Sequence, residues 1–433
     1  MSVNHLFCFR PAVRALACIV CLQSTQAMGA PLADVLRHVM DTHPDIVSAR
    51  ALLDAAGERI RQSRSEYLPT AGLAYERGST TEEMSGASID RDTSRLDATL
   101  RWNLFRGFAD KGAVSSATAR KAASASDLNG VREDLSLKVL EVYLDVQRTR
   151  ALVDVSAAQI ESLERLAQRV STRAELGRIS RVTVHQANTR LVQARNRHIQ
   201  LRAALSGSEL RFREVTGMAP DALELPVLDG QIADEPVEAL YQRAVSDNPR
   251  IRAAREIARS RAADIDVARG GLMPTVDLEL RKRLFADVEP DSSIDLDTSV
   301  RLVVNYDFPL GGASLSRKSE AFSLKSAAEQ RVAALEREVR ANVAAASRQL
   351  VEDRNIWPNL EENVVAAREV VKAYHLQFDA GRRTLLDLLT AYADLYQAEA
   401  AVLENRFRRL VAAARIHYQL GSLSAALLEK AGS

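Results

Sequence analysis

Residues 42–50, THPDIVSAR, return as DNPRIRAAR at 247–255, and YLPTAGL (67–73) returns as LMPTVDL (272–278), both at an offset of 205. WNLFRG (102–107) pairs with YDFPLG (306–311), and ELGRISRVTVHQA (175–187) with DAGRRTLLDLLTA (379–391), at an offset of 204. Register is held from residue 42 to Gly217, which matches Gly421. A repeat of this kind constrains the fold more than any local propensity, because both copies must fold the same way. The chain divides into a first copy, 31–217, a linker rich in proline and acids, 218–236, and a second copy, 237–433.

Each copy opens with a helical stretch, Leu32–Ser65 or Val237–Arg269, closed by Pro69 or Pro274. A β-hairpin follows, 70–105 or 275–308. In RLDATLRWNL (95–104), Leu96, Ala98, Leu100, Trp102 and Leu104 fall on one face, and Arg95, Asp97, Thr99, Arg101 and Asn103 on the other. TVDLELRKR alternates in the same way through Val276, Leu278 and Leu280. The return strand 298–308 aligns Val300, Leu302, Val304, Tyr306 and Phe308. A helical hairpin completes each copy, 109–217 or 313–421. Residues 109–176 contain no proline, which at 1.5 Å per residue allows roughly 100 Å of helix. Ile160, Leu163, Ala167, Val170 and Ala174 form a 3-4-3-4 seam, continued after Gly177 by Ala187, Leu191, Ala194, His198, Leu201 and Leu205. Aromatics make up only 5% of the chain, which suits long helices packed closely side by side. Asn129–Gly130 is expected to interrupt the first long helix and Pro358 to kink the second.

Several functional classes are disfavoured. A formal net charge of +1 gives no reason to expect a nucleic-acid partner. Histidines 5, 38, 43, 185, 198, 375 and 417 show no metal-ligand spacing, so no metal and no cofactor is expected; His198 reads as a packing residue. The chain has no phosphate-binding loop and no nucleophile constellation, so it is not expected to be an enzyme. Arg10 and Arg14 precede the apolar run ALACIVCL (15–22) and the small-residue site Ala27–Met28–Gly29, the pattern of an export signal spanning 1–30. Cys8, Cys18 and Cys21 all lie inside it, and Cys18 follows ALA, a poor lipidation site.

Four strands beside helices of roughly 100 Å can neither bury their apolar faces in a compact domain nor close a barrel alone. Strands of about ten residues suit a tilted membrane crossing. Three copies would supply twelve strands, with the apolar face on lipid and the charged face in water. A periplasmic coiled-coil scaffold or adaptor, pairing its hairpins with another protein's sheet, is the reading from a different class.

The paired helix–proline–hairpin units, LRWNLFRG, and the turns LGRISRVTVHQA and AGRRTLLDLLTA resemble the TolC family of outer-membrane channel-tunnels over the whole mature chain. The resemblance implies a mainly α fold with membrane β: a homotrimer with a twelve-stranded outer-membrane barrel continued by a periplasmic α-helical barrel. Implied partners are outer-membrane lipid, a periplasmic membrane-fusion adaptor, and an inner-membrane transporter, of ABC type or alternatively proton-driven. The GRISR turn and the poor lipidation site resemble the type I secretion branch more than the drug-efflux branch. Lipid-facing residues would be Leu96, Leu100, Trp102, Leu278, Leu280, Val300, Leu302, Val304 and Tyr306. The resemblance further implies adaptor-docking tips at Leu176, Gly177 and Arg178 and at Ala380, Gly381 and Arg382. It places a periplasmic gate at Phe378, Arg383 and Asp387, with Thr390 and Thr183 standing where the family carries acids and Phe378 where it carries tyrosine.

Overall fold

The computed structural model describes residues 32–429 except 85–86, 222, 227, 229–231, 233, 289–297 and 308–309. The expected export signal lies outside the described residues, as does Phe308. The order of elements is α1 (Leu32–Thr42), α2 (Pro44–Ser65), β1 (Thr70–Met84), β2 (Ala87–Arg106), α3 (Ala109–Glu175), α4 (Arg181–Thr216), α5 (Val237–Asp247), α6 (Pro249–Gly270), β3 (Thr275–Val288), β4 (Thr298–Asn305), α7 (Ala313–Asp379), α8 (Leu385–Gln419) and α9 (Leu423–Glu429).

The opening stretch of each copy is two helices, not the one expected. Pro44 and Pro249 each sit in the first turn of a new helix, where a missing N–H costs nothing. His43 Nδ1 accepts from Asp45 N at 3.2 Å, and Asn248 Oδ1 accepts from Arg250 N and Ile251 N at 2.9 and 3.3 Å. The expected interruption at Gly130 does not occur, since α3 runs unbroken for 67 residues. α7 also runs 67 residues, with Pro358 inside the helix. The residues around Pro358 are largely exposed, so water can take the carbonyl that the ring leaves unpaired. One turn earlier, buried Asp353 ties α7 to α8 by accepting from Asn405 Nδ2 at 3.1 Å and Arg408 Nε at 3.3 Å.

The four strands form one antiparallel sheet in the order β1-β2-β3-β4. The central β2–β3 ladder joins the two copies, while β1 and β4 are left as edges. The helices follow the same scheme. Next to the sheet, α3 lies between α2 and α6, and α6 packs on α7; farther away, α3 lies between α4 and α8, and α8 packs on α7. One lateral side of the molecule is thus β1, α2 and α4, and the other is β4 and α7.

The main core lies midway, where α1, α5, α9 and the linker pack onto the long helices around Leu36, Tyr143, Phe212, Leu240, Leu350 and Ile416. Tyr143 Oη donates to Glu224 O and accepts from Glu224 N, both at 2.7 Å, which fastens the linker to α3. Burial pushes its phenol up to about 12. A second core joins the far ends of the two helical hairpins through Leu163, Leu166, Val170, Leu191, Phe378 and Leu388. It contains Ile160, Leu163, Ala167, Val170, Ala187, Leu191 and Ala194 of the seam read from the sequence, whereas Leu205 packs against the main core; His198 Nδ1 lies 2.8 Å from the buried Ser156 hydroxyl, in a packing role. Where β2 enters α3, Gly107 adopts φ +58°, and a Cβ there would come within 2.5 Å of Met273. Phe108, the repeat partner of Gly312, is the one described non-glycine residue at positive φ, 67°, a conformation that costs roughly 1–2 kcal/mol.

Candidate functional site

The sheet separates its side chains by chemistry. One face carries the rows Ala71–Leu100–Leu280–Val300 and Trp102–Leu278–Leu302, then Val276–Val304, with Tyr75–Leu96 continuing to Phe285 at the hairpin end. Leu100, Trp102, Leu280, Val300, Leu302, Val304 and Tyr306 are exposed; Leu96 and Leu278 are half-buried. Trp102 Nε1 donates to Tyr67 O at 2.9 Å, at the helical end of this face. Two bulges shift the register. Leu104 is the extra residue opposite β3, and Leu284 opposite β2. Leu104 therefore drops out of the alternation expected of it, and Phe105 pairs with Val276 instead.

The opposite face is a ladder of charge. Arg101 and Arg301 flank Glu279 at 3.3 and 3.1 Å, and Asn103 Nδ2 donates to Asp277 Oδ1 at 2.9 Å. Arg95 pairs with Glu76 and lies 3.8 Å from Asp97, which Arg283 approaches to 3.9 Å from the other side.

At the opposite end of the molecule, both tips are the same turn. Gly177 and Gly381 adopt φ +72°. Arg178 N donates to Arg173 O at 2.9 Å and Gly177 N to Ala174 O at 2.9 Å; Arg382 N donates to Gln377 O at 2.8 Å and Gly381 N to Phe378 O at 3.0 Å. These paired bonds are the Schellman closure of a helix C-terminus, for which glycine carries no Cβ penalty. Leu176, Gly177, Arg178, Ala380, Gly381 and Arg382 are all exposed.

Four of the proposed gate residues, Phe378, Arg383, Asp387 and Thr390, lie beside the second tip, whereas Thr183 lies beside the first, with no hydrogen bond to Arg383 among the described residues. Thr384 caps α8: its hydroxyl accepts from Asp387 N at 3.2 Å, and Asp387 Oδ2 accepts from Thr384 N at 3.3 Å and Thr384 Oγ1 at 2.8 Å. Arg383 lies 3.9 Å from the same carboxylate, donates to Gln377 Oε1 at 3.0 Å, and stacks over Tyr374 at 4.3 Å. Thr390 bonds back to Leu386 O, and Thr183, half-buried, lies in the first turn of α4, its backbone N–H donating to Ser180 O. Phe378 is buried in the tip core, with the Arg173 guanidinium 5.2 Å from its ring.

That arginine was not singled out from the sequence. Arg173, on α3, donates to Asp379 Oδ1 at 2.8 Å and to Phe378 O at 3.3 Å, on α7. His375 Nδ1 approaches the other Asp379 oxygen at 3.2 Å, and Arg169 contacts His375 Nε2. The two hairpins are thus clasped by a cross-copy pair, whose only sequence trace is the i,i+4 spacing of His375 and Asp379. No group of His, Cys, Asp and Glu among the described residues could hold a metal ion. No described helix is long and apolar enough to cross a membrane.

A duplicated hairpin with one apolar and one charged face, mounted on paired helices of roughly 100 Å, defines a class of outer-membrane channels. The outer membrane efflux protein family model matches residues 35–218 and 240–422, and the chain belongs to that family. It is 26% identical over 406 residues to the outer membrane protein TolC of Vibrio cholerae serotype O1, covering 91% of each chain. It is 21% identical over 425 residues to the alkaline protease secretion protein AprF of Pseudomonas aeruginosa, covering 93% of this chain and 87% of that one. Its fold superposes on the outer membrane protein VceC of Vibrio cholerae with a TM-score of 0.80 at 16% identity, covering 90% of this chain and 96% of the other. The protein is an outer-membrane channel of the TolC type, reaching into the periplasm of a Gram-negative bacterium.

Proposed function

We propose that three copies close into one duct, the exit of a tripartite export system whose most fitting cargo is a polypeptide secreted by the type I route. The open lateral sides carry this reading. β4 runs antiparallel to the β1 of a following copy, so the four-stranded unit repeats without a break in strand direction. α2 and α4 on one side expose Val47, Leu52, Val192 and Ile199, and α7 on the other exposes Phe322, Ile356, Val365 and Val370. Such a head-to-tail contact closes into a ring. Two copies would give eight strands, a barrel whose interior is filled by side chains, and would bury the Arg101, Arg281 and Arg301 of both copies. Three copies give twelve strands and leave those charges in water. The two-copy organisation then has a purpose: 31–217 and 237–433 each supply two strands and one helical hairpin to every third of the wall.

The tips are the docking surface for a periplasmic adaptor. Arg178, Arg181 and Arg382 are exposed, with no ion pair or side-chain hydrogen bond among the described residues, so the adaptor should offer acidic or polar partners. An inner-membrane transporter of ABC type would supply the energy, since the sequence carries no phosphate-binding loop motif. The relative named for protease secretion, the poor lipidation site and the GRISR turn favour secretion; the family's efflux description favours small-molecule export with a proton-driven transporter. Deletion of the gene decides between them. A secreted polypeptide missing from the medium, with unchanged susceptibility to dyes and detergents, supports type I secretion. Drug sensitivity with normal protein secretion supports efflux.

A further inference from the structure

Lys282 on β3 breaks the outward apolar face of the sheet. It stands in the row Leu73–Ala98–Lys282–Thr298, directly below Tyr75, Leu96 and Phe285. It is exposed and makes no hydrogen bond or ion pair among the described residues. Asp97 on β2, and Asp277 and Glu279 on β3 itself, lie on the opposite face with the arginines. Beside Lys282, an open cleft of about 570 Å³ runs over the small residues Ala71, Gly72 and Ala98 between Leu73, Leu100 and Leu280. Strands pair edge to edge, so closing the ring through β1 and β4 would add a neighbour beside β1 and leave this face of the sheet uncovered.

Depth fixes what meets the ammonium. Lys282 is seven residues beyond Thr275, the helical end of β3. At about 3.3 Å per residue and a tilt near 40°, that is roughly 18 Å up an apolar band of about 25 Å. The lysine stem can span the remaining distance and lift its charge to the headgroup level of the outer leaflet.

We propose that this cleft is a lipid site, in which Lys282 pairs with a phosphate of a multiply acylated phosphoglycolipid of the outer leaflet and the Ala71–Ala98 trough takes one acyl chain. The proposal rests on the lipid-facing assignment made above. It is tested on the full-length oligomer in detergent, by native mass spectrometry during titration with bisphosphorylated lipid A, its dephosphorylated form or phosphatidylglycerol. Lys282→Met keeps the stem and removes the charge; Arg281→Gln removes a neighbouring charge from the opposite face. The expected result is tighter binding of the bisphosphorylated lipid than of either other lipid. Lys282→Met should weaken it by about fivefold, the worth of one cation near an anionic lipid surface, and Arg281→Gln should leave it unchanged. Unchanged binding in both variants, or equal affinity for all three lipids, overturns the lipid site while leaving the channel reading intact. Weakening by Arg281→Gln alone would mean that the charged face meets lipid, which overturns the facing assignment itself.

Discussion

Asp387 shows how one side chain can serve two ends. Its carboxylate completes the cap of α8, and the part of it that stays exposed beside Arg383 is what the proposed pore entrance would use. Asp387→Asn keeps an oxygen for the Thr384 contacts and removes only the charge, so oligomer yield should be normal. If three such carboxylates ring the entrance, the variant's cation preference should fall in planar bilayers. Block by periplasmic-side multivalent cations should weaken about fivefold, corresponding to ~1 kcal/mol of charge interaction. Unchanged selectivity and block would reduce Asp387 to a capping residue. The strand faces are tested in the same single-residue way. Leu100→Arg or Leu302→Arg places a cation on lipid at a cost of roughly 2–4 kcal/mol and should prevent assembly. Thr99→Gln, on the charged face, should not. Heat-modifiable oligomer in outer membranes is the readout, and three identical results would mean that the faces are misassigned.

Between elements, the contacts that matter are the clasps. Arg173 joins α3 to the end of α7, so Arg173→Ala should loosen the tips and raise the open fraction in bilayer recordings without lowering oligomer yield; a conductance trace like the parent's would remove Arg173 from the gate. Asp145 joins α3 to α4, accepting from Arg148 and Arg211 at 2.7 Å each. Burial pushes its carboxyl up, but those two arginines outweigh burial and hold it below the usual carboxylate range. A lowered folded-state pKa gives stability that is present above the ordinary carboxylate range and lost as pH falls through the lowered value. Asp145→Asn should therefore cost about 1 kcal/mol near neutrality, allowing for solvent around the arginines, and should flatten the fall in thermal midpoint on acidification. A parallel fall in both proteins would assign the acid sensitivity elsewhere. The seam from Ile160 to Leu205 and both tip turns were legible in the sequence because helical packing and Schellman turns leave local periodic marks. The breaks before Pro44 and Pro249 also leave a local mark, a capping His43 or Asn248 followed by proline in THPD and DNPR, although each opening stretch reads as one helix. The bulges at Leu104 and Leu284 left no mark, since register depends on the partner strand. The Arg173–Asp379 clasp joins residues 206 apart and could not be seen before folding.

At the scale of the whole molecule, the repeat forecast the architecture, but a single chain has two unfinished sides. Within each copy the strands alternate up and down, and the β2–β3 ladder fuses the copies into one four-stranded unit. That unit begins with an upward edge, β1, and ends with a downward edge, β4, so the proposed ring would join β4 of one copy to β1 of the next. Cysteine chemistry can read this directly, because all three native cysteines fall within residues 1–30. Leu73→Cys on β1 can be combined in turn with Val300→Cys, Leu302→Cys or Val304→Cys on β4, all on the same outward face. With a short bis-maleimide in outer membranes, at least one pair should give a denaturation-resistant ladder that stops at three chains. Each single-cysteine parent should give none. A closed head-to-tail ring has no free edge to extend, so the ladder's end point counts the copies. A ladder ending at two chains would demand an eight-stranded barrel with its arginines packed inside. One running past three would show that the edges do not close, and that the sheet reaches its neighbours as an open array.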